Sequence, residues 1–479
     1  MTAPADTRPV QGFSRFVRDS AMYSIGTVVG KAAALLILPI VTRSLGPRQY
    51  GELEVLSTLM SACTSILILG LDVAVTRTYP LLDESARRRM FASWMAMGGL
   101  LTVPFALGLA LARAPISDSL FAYQNMAEEV ALAGMFVVVT TGQLIALTVL
   151  RNQGRAGRFA LITGGALMIN AVLVVVFLQR EEAVRSVLLA NVISQGIAAV
   201  AGLWMTRRAI VAVPSIRASR DLLRLGLPLV PASIALLFGE VLHRTILFAQ
   251  SSDVEVGFFG IAVRFASITV LVVMGFQTAW QPRAFAAFEE PDGLRSIAID
   301  ARRILAVVCL SAVAGAVLAP DAVRLVGGDA FAGATSAVGW MMIWALAFGG
   351  YQIVTMPSAI DQRMGDIGLS GAFGTLIALA INQSISADYG AAGTAAAMTV
   401  GQVLAIALAL GLSRRRVVIP FANAPMLVVS ASAVAVILVS TVGAAGVTVR
   451  AIGFLGFGAV LVIDGSLIGA RQLLAGRRG

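Results

Sequence analysis

The sequence lacks the residues and motifs on which soluble enzymes and ATP-driven pumps depend. Its 479 residues include one histidine, two cysteines and a single lysine. It contains no phosphate-binding P-loop, no spaced set of metal ligands and no nucleophile elbow. We therefore expect neither an ATPase nor a membrane hydrolase, and no metal or organic cofactor.

Charged residues are also scarce. They make up 13% of the chain, whereas soluble domains contain about 25%. Hydrophobic residues reach 58%, and the mean hydropathy is +0.86. The two cysteines, Cys63 and Cys309, fall within apolar runs and so indicate packing rather than a disulfide framework. This composition predicts a polytopic membrane protein.

Long apolar runs predict membrane-spanning helices. The runs are continuous, as in "ALLILPIV" and "AVLVVVFL", whereas strands of a membrane barrel alternate between apolar and polar residues. A crossing needs about 20 apolar residues, so the fold class is all-α with about fourteen transmembrane helices. We place these helices near residues 20–41, 52–76, 91–112, 129–150, 159–179, 186–206, 225–249, 257–280, 302–320, 333–356, 367–385, 391–412, 424–446 and 451–470.

A basic linker at residues 207–224 connects helices six and seven. We expect the linker to separate two lobes of six helices each. The predicted domains are a cytoplasmic segment at 1–19, an N-lobe at 20–206, the linker, a C-lobe at 225–412, and helices thirteen and fourteen with a basic tail at 413–479.

The two predicted lobes show a weak internal repeat. At a constant offset of 206 residues, Gly51 aligns with Gly257 and Arg77 with Arg283, and two further identities support the same offset. Chance coincidence is the alternative explanation. A true repeat implies two pseudo-symmetric lobes around a central cavity, an arrangement that suits alternating access.

The placement of arginine predicts the orientation in the membrane. With the N-terminus inside, 26 arginines fall in inner segments and 7 in outer segments. Because basic residues of short loops stay in the cytoplasm, we expect both termini to be cytoplasmic. The inner loops then account for the net charge of +10, and no nucleic-acid partner is expected.

A few ionisable residues fall inside predicted crossings, where each charge costs about 3 kcal/mol and is a functional candidate by default. Lys31 lies near the middle of helix one and is either a cavity-lining cation or the partner of an acid such as Glu240. Glu240 and Arg244 are spaced i, i+4 and are either a self-neutralising pair or part of a site. Arg244 and Arg264 lie roughly 8–11 Å below the outer surface, a depth at which both can reach one anionic group.

Other charged residues lie near helix ends. Arg43 and Arg77 are either headgroup anchors or substrate contacts. Asp72 caps or pairs with the nearby Arg77, or it carries a coupled ion during transport. Glu240 and Asp72 are thus the candidates for coupling transport to H⁺ or Na⁺.

Residues 38–79 contain a distinctive set of motifs within "LPIVTRSLGPRQYGELEVLSTLMSACTSILILGLDVAVTRTY". Gly46-Pro47 predicts a tight hairpin over residues 43–51, and Tyr50 is interpreted as an interfacial anchor. The motifs are Pro39, Thr42-Arg43-x-Leu45-Gly46-Pro47, Tyr50-Gly51, Gly70-Leu71-Asp72, and Arg77 with Tyr79. This stretch resembles the start of Wzx-type polysaccharide flippases of the multidrug/oligosaccharidyl-lipid/polysaccharide exporter superfamily.

The resemblance extends less specifically through "LRLGLPLVP", "VGFFGIAVRFAS" and "RLVGGDAFAGA". It implies a flippase of the bacterial cytoplasmic membrane that moves polyprenyl-pyrophosphate-linked oligosaccharide for a surface polysaccharide such as O-antigen or exopolysaccharide. Membrane lipids, a polysaccharide polymerase and glycosyltransferases are the implied partners. The cations suited to the diphosphate are Lys31, Arg244, Arg264, Arg43 and Arg77.

Two alternatives remain open. A multidrug or other lipid exporter of the same superfamily has the same architecture, but its drug-binding form favours acidic cavities, whereas here buried cations equal or outnumber buried acids. A scaffold for polysaccharide assembly that transports nothing needs no polar cavity at all.

Overall fold

The computed structural model describes residues 12–68, 70–120, 126–227, 230–288, 293–361, 363–413, 423–441 and 446–463. Within these ranges, the side chains of residues 12–36, 231–238 and 240, among others, lie outside the description. All regular secondary structure in these ranges is helical. The helices are α1 (Gly12–Leu67), α2 (Leu71–Thr78), α3 (Glu84–Leu111), α4 (Arg113–Leu120), α5 (Ala127–Asn152), α6 (Ala156–Leu178), α7 (Val184–Ile210), α8 (Ile216–Gly226), α9 (Val230–Gln250), α10 (Asp253–Phe288), α11 (Gly293–Gly327), α12 (Ala334–Val354), α13 (Met356–Ile360), α14 (Met364–Ser413), α15 (Asn423–Thr441) and α16 (Val447–Ile463).

The helices have the length and apolar character of membrane spans. In the described ranges, eight helices are long and apolar enough to cross a membrane, and two shorter apolar helices cover residues 426–441 and 447–462. Each of the fourteen predicted crossings overlaps a helix in the described residues. The all-α, multi-pass membrane fold is therefore confirmed.

Glycines interrupt two of the longest helices. Gly46 has φ 67° and ψ 177°, so α1 consists of two helical segments that meet there. A left-handed φ is open to glycine at little cost, and Pro47 follows at a position where its missing N–H is not needed. Gly390 breaks α14 with φ 52°, and beyond it Gly401 lies against Gly374. The predicted crossings at 367–385 and 391–412 are thus two helical segments in contact.

One predicted boundary was wrong. Helix two was expected to continue to residue 76, but α1 ends at Leu67, and Gly70, with φ 64°, precedes the separate short helix α2. The basic linker contains a short helix, α8, which begins after Ser215. The Ser215 hydroxyl accepts a hydrogen bond from the Ala218 amide, as an N-cap does.

The chain forms two compact units. The first consists of Met1–Ser44 and Leu56–Phe238, and the second of Leu45–Val55 and Gly239–Gly479. In the first unit, α5 packs against α3, α6 and α7, and a core cluster that includes Phe91, Trp94 and Val149 lies where α2 and α8 contact this bundle. In the second unit, α12 packs against α10, α11, α14 and α15.

Candidate functional site

The second unit brings three elements together around one buried acidic side chain. They are the segment Leu45–Val55 of α1, the part of α9 from Gly239 onward, and α10. The α1 segment and α10 approach so closely that a Cβ atom at Gly51 would lie 1.8 Å from the Asp253 carbonyl oxygen, and one at Gly257 would lie 2.3 Å from the Pro47 carbonyl oxygen. Small residues permit such a crossing of helix backbones.

Glu54 is the centre of this cluster. Its side chain is only 4% exposed. Arg264 Nη2 donates to Glu54 Oε1 at 2.6 Å, and Arg244 Nη1 lies 3.2 Å from Oε2. Each carboxylate oxygen therefore faces a different guanidinium group. The resulting charge-assisted hydrogen bonds are stronger than hydrogen bonds between uncharged groups.

Gly260 makes room for this carboxylate. A Cβ atom at position 260 would lie 2.7 Å from Glu54 Cγ and 2.9 Å from Cδ. Because α10 carries both Gly260 and Arg264, one turn of this helix supplies the space for Glu54 and the next supplies its cationic partner.

Aromatic side chains enclose the cluster. Tyr50 is fully buried, and its hydroxyl oxygen accepts a 2.6 Å hydrogen bond from Arg264 Nε. The Tyr50 ring meets the Phe331 ring edge-on, with centroids 5.9 Å apart, and the Phe259 ring centroid lies 6.0 Å from Arg244 Cζ. The low polarity of these rings strengthens the electrostatic interactions between the charged groups.

The two arginines differ in accessibility. The Arg244 side chain is 8% exposed, whereas that of Arg264 is 36% exposed. Arg264 uses Nε and Nη2 for Tyr50 and Glu54, and its Nη1 has no partner among the described residues. Arg264 therefore presents a guanidinium nitrogen and its positive charge to an anion that approaches from outside the cluster.

Arg244 and Arg264 converge on one anionic group, as the sequence led us to expect, but this group is the protein's own Glu54. A substrate role for the two arginines stays a prediction. The side chains of Lys31 and Glu240 lie outside the described residues, although both positions are on helices, α1 and α9.

The remaining predicted site residues belong to the first unit. Arg43 is exposed and lies one turn before the break at Gly46, and Arg77 is exposed in the last turn of α2. Asp72 is half-buried in the first turn of α2 and forms no ion pair with Arg77. The structure therefore does not bring Asp72 and Arg77 together, and their roles in transport stay predictions.

Sequence reasoning missed Glu54 and misread Tyr50. We interpreted Tyr50 as an interfacial anchor, but it is buried, and we gave no role to Glu54, which lies at the start of the predicted helix 52–76. The signal was present: Glu54 lies four residues after Tyr50 and thus on the same helix face, at the start of a long apolar run.

Comparison with known proteins identifies the family. A family model described as "Polysaccharide biosynthesis protein" matches residues 16–288, which is more than half of the chain. The chain therefore belongs to this family, and the resemblance found in the sequence is confirmed. No match is found among curated protein sequences.

Solved structures share the fold. The lipid II flippase MurJ in its inward closed conformation matches with a TM-score of 0.73 and 12% identity, over 95% of this chain and 100% of that chain. A multidrug resistance MATE family transporter of the MOP superfamily, inward-facing, matches with a TM-score of 0.66 and 17% identity, over 83% and 98%. A MOP superfamily transporter from Pyrococcus furiosus matches with a TM-score of 0.58 and 19% identity, over 84% and 95%. The fold is thus that of flippases and transporters rather than of an enzyme.

Proposed function

We propose that this member of the polysaccharide biosynthesis protein family is a flippase that moves polyprenyl-pyrophosphate-linked oligosaccharide from the cytoplasmic to the outer leaflet. The observation that carries the proposal is the cationic cluster of Arg244 and Arg264 around Glu54, in a chain with the fold of transporters. A diphosphate is a multiply charged anion with several acceptor oxygens, and guanidinium groups bind such oxygens in pairs.

In the proposed mechanism, the diphosphate first meets the accessible Nη1 of Arg264. Glu54 holds both guanidinium groups in position before the substrate arrives, and the diphosphate then competes with its carboxylate for them. Lys31, Arg43 and Arg77 are further proposed substrate contacts. The sugars occupy the central cavity that the internal repeat implies, and the polyprenyl tail stays in the lipid. Alternating access then exposes the site outward.

The charge distribution of the first unit supports an orientation with cytoplasmic termini in a bacterial cytoplasmic membrane. Among the described arginines from α2 to α8, three lie toward the end of the unit where α3 ends and α5 begins, namely Arg113, Arg180 and Arg185. Twelve lie toward the opposite end: Arg77, Arg87, Arg88, Arg89, Arg151, Arg155, Arg158, Arg207, Arg208, Arg217, Arg220 and Arg224. By the positive-inside rule, the arginine-rich end faces the cytoplasm.

Uphill transport requires a coupled ion, and we propose Glu240 or Asp72 as its carrier, for H⁺ or Na⁺. Replacement of Glu240 by Gln is expected to abolish the response of transport to an ion gradient, because the amide cannot release a proton or hold a cation as a carboxylate does. A Glu240→Gln protein that transports equally with and without the gradient argues against a coupling role for this residue.

The function is tested in cells that lack the gene. Mass spectrometry measures their lipid-linked oligosaccharides, and the leaflet in which these lipids lie is determined as well. The cells are complemented with the wild type, with Arg264→Gln, or with the control Arg185→Gln, which changes an exposed arginine paired with Glu128 at 2.6 Å. We expect intermediates to accumulate on the cytoplasmic face and to be cleared by the wild type and the control but not by Arg264→Gln. If deletion causes no accumulation, the substrate class is wrong.

The same deletion and complementation strains distinguish two other functions. A multidrug exporter is favoured by the likeness to MATE family transporters, but cationic substrates would meet the accessible guanidinium group of Arg264. If deletion raises drug sensitivity and leaves lipid-linked glycans unchanged, the exporter function is correct. If the protein is an assembly scaffold, the Arg264→Gln protein is expected to complement as well as the wild type.

A further inference from the structure

The first unit contains an open cavity of about 860 Å³ that the proposed mechanism does not use. It lies where α3 and α6 begin and where α5 and α7 end. Six arginines and one acid, Glu84, line it. The arginines are Arg87, Arg88, Arg155, Arg158, Arg207 and Arg208.

Most of this positive charge is not neutralised by the protein. Glu84 forms an ion pair with Arg88. In the described part of the chain, Arg155, Arg158 and Arg208 form no ion pair or hydrogen bond through their side chains. A concave site with this excess of guanidinium groups matches a phosphate group, whose oxygens accept several charge-assisted hydrogen bonds at once.

Two of the arginines are held in place by aromatic residues. The Arg87 guanidinium lies 4.4 Å from the Tyr79 ring centroid, and its Nε donates to the Tyr79 carbonyl oxygen at 2.9 Å. Arg207 Cζ lies 4.3 Å from the Trp204 ring centroid, and Nη1 donates to the Trp204 carbonyl oxygen at 2.9 Å. These cation–π contacts orient the guanidinium groups without neutralising them, so the cavity is pre-organised for an anion.

The cavity also adjoins the lipid-facing surface of α7. Ile193, Ile197, Val200 and Trp204 are spaced by four, three and four residues and so share one helix face. Their exposures are 38%, 48%, 70% and 63%. An exposed apolar stripe on a membrane-spanning helix faces lipid tails, and a tryptophan at its end marks the membrane interface. Because Trp204 also lines the cavity, the cavity opens where the headgroups lie.

We propose that this cavity binds the phosphate of an anionic phospholipid of the surrounding bilayer, with the acyl chains along the Ile197 and Val200 face of α7. The phosphate contacts Arg155, Arg158 and Arg208, while Trp204 lies at the boundary between headgroup and tail. This site is separate from the Glu54 cluster, and the proposal does not depend on the proposed function.

The first test is native mass spectrometry of the full-length protein in a neutral detergent, titrated with phosphatidylglycerol or with zwitterionic phosphatidylcholine. The cavity variant is Arg155→Gln/Arg158→Gln/Arg208→Gln. The matched control is Arg217→Gln/Arg220→Gln/Arg224→Gln, which removes the same charge from the exposed face of α8, at the same end of the unit and outside the cavity. We expect phosphatidylglycerol to bind the cavity variant about tenfold or more weakly than the wild type, and to bind the control with unchanged affinity.

Two outcomes of this titration would overturn the proposal. An equal loss of affinity in both triple variants means that lipid binds to diffuse surface charge rather than to the cavity. If inorganic pyrophosphate displaces phosphatidylglycerol at equimolar concentration, the cavity takes a free anion instead of a lipid.

A second measurement needs no change to the arginines. Phosphatidylglycerol with brominated acyl chains is expected to quench the tryptophan fluorescence of the wild type more than brominated phosphatidylcholine does. This excess quenching is expected to disappear in Trp204→Phe. Equal quenching by the two lipids shows that the cavity does not select an anionic headgroup and overturns the proposal.

Discussion

The Glu54 carboxylate lies 2.6 Å from Arg264 Nη2, although 210 residues separate the two in the chain. The same carboxylate is 3.2 Å from Arg244, so one acid from α1 connects to both α9 and α10. This contact and the close approach of Gly51 and Gly257 connect the short early segment Leu45–Val55 to the second unit. It also supplies a set of testable predictions.

Replacement of Glu54 by Gln is expected to destabilise the protein by about 3 kcal/mol, because it removes the buried carboxylate charge that both Arg244 and Arg264 contact. Thermal unfolding of the purified protein in detergent measures the effect. Glu128→Gln is the control, since Glu128 forms an exposed pair with Arg185 and such pairs contribute about 1 kcal/mol or less. Equal stability of the two variants would show that the Glu54 contacts contribute no more than a surface pair.

Replacement of Gly257 by Ala is expected to cost about 1–3 kcal/mol, since the added methyl group would lie 2.3 Å from the Pro47 carbonyl oxygen and force two helix backbones apart. Gly275→Ala on the same helix is the matched control, because a Cβ there meets nothing within 4 Å. The control is expected to be neutral or slightly stabilising, as alanine favours a helix. If Gly257→Ala unfolds at the same temperature as Gly275→Ala, the close crossing is not needed for stability.

Replacement of Tyr50 by Phe is expected to destabilise the protein by about 1 kcal/mol, because Arg264 Nε loses its closer acceptor at 2.6 Å and keeps only Glu54 Oε1 at 3.2 Å, while the buried ring stays in place. The same unfolding assay measures this change. Tyr389→Phe serves as the control, since Tyr389 is 68% exposed. An unfolding temperature equal to that of the wild type would mean that Glu54 alone satisfies the Arg264 guanidinium.

Replacement of Arg264 by Lys keeps the charge but is expected to lower transport of lipid-linked oligosaccharide by about tenfold or more, because an ammonium group does not reproduce the fork that contacts Tyr50 and Glu54 together. The measurement is the rate at which the glycan reaches the outer leaflet. Arg324→Lys is the control, as Arg324 is 65% exposed and lies 3.7 Å from the exposed Asp329. Full transport by Arg264→Lys would indicate that positive charge alone matters at this position.

The sequence predicted the membrane class, the helices and several of their breaks. Apolar runs and the glycines at 46 and 390 act through residues adjacent in the chain, so their effect on the backbone can be read without knowledge of distant contacts. The same local reasoning identified Arg244 and Arg264 as candidate site residues, because a charge in an apolar run is costly wherever the helix lies.

Only the tertiary structure decided which acid those arginines meet and whether Tyr50 is exposed. Glu54 lies near a turn in the sequence, and its burial follows from the approach of α10, which Gly51, Gly257 and Gly260 permit. The arginine-rich cavity likewise depends on the meeting of four helix ends in the first unit, which no single segment contains. Side-chain partners and cavities are properties of distant contacts, so they appear only when the chain has folded.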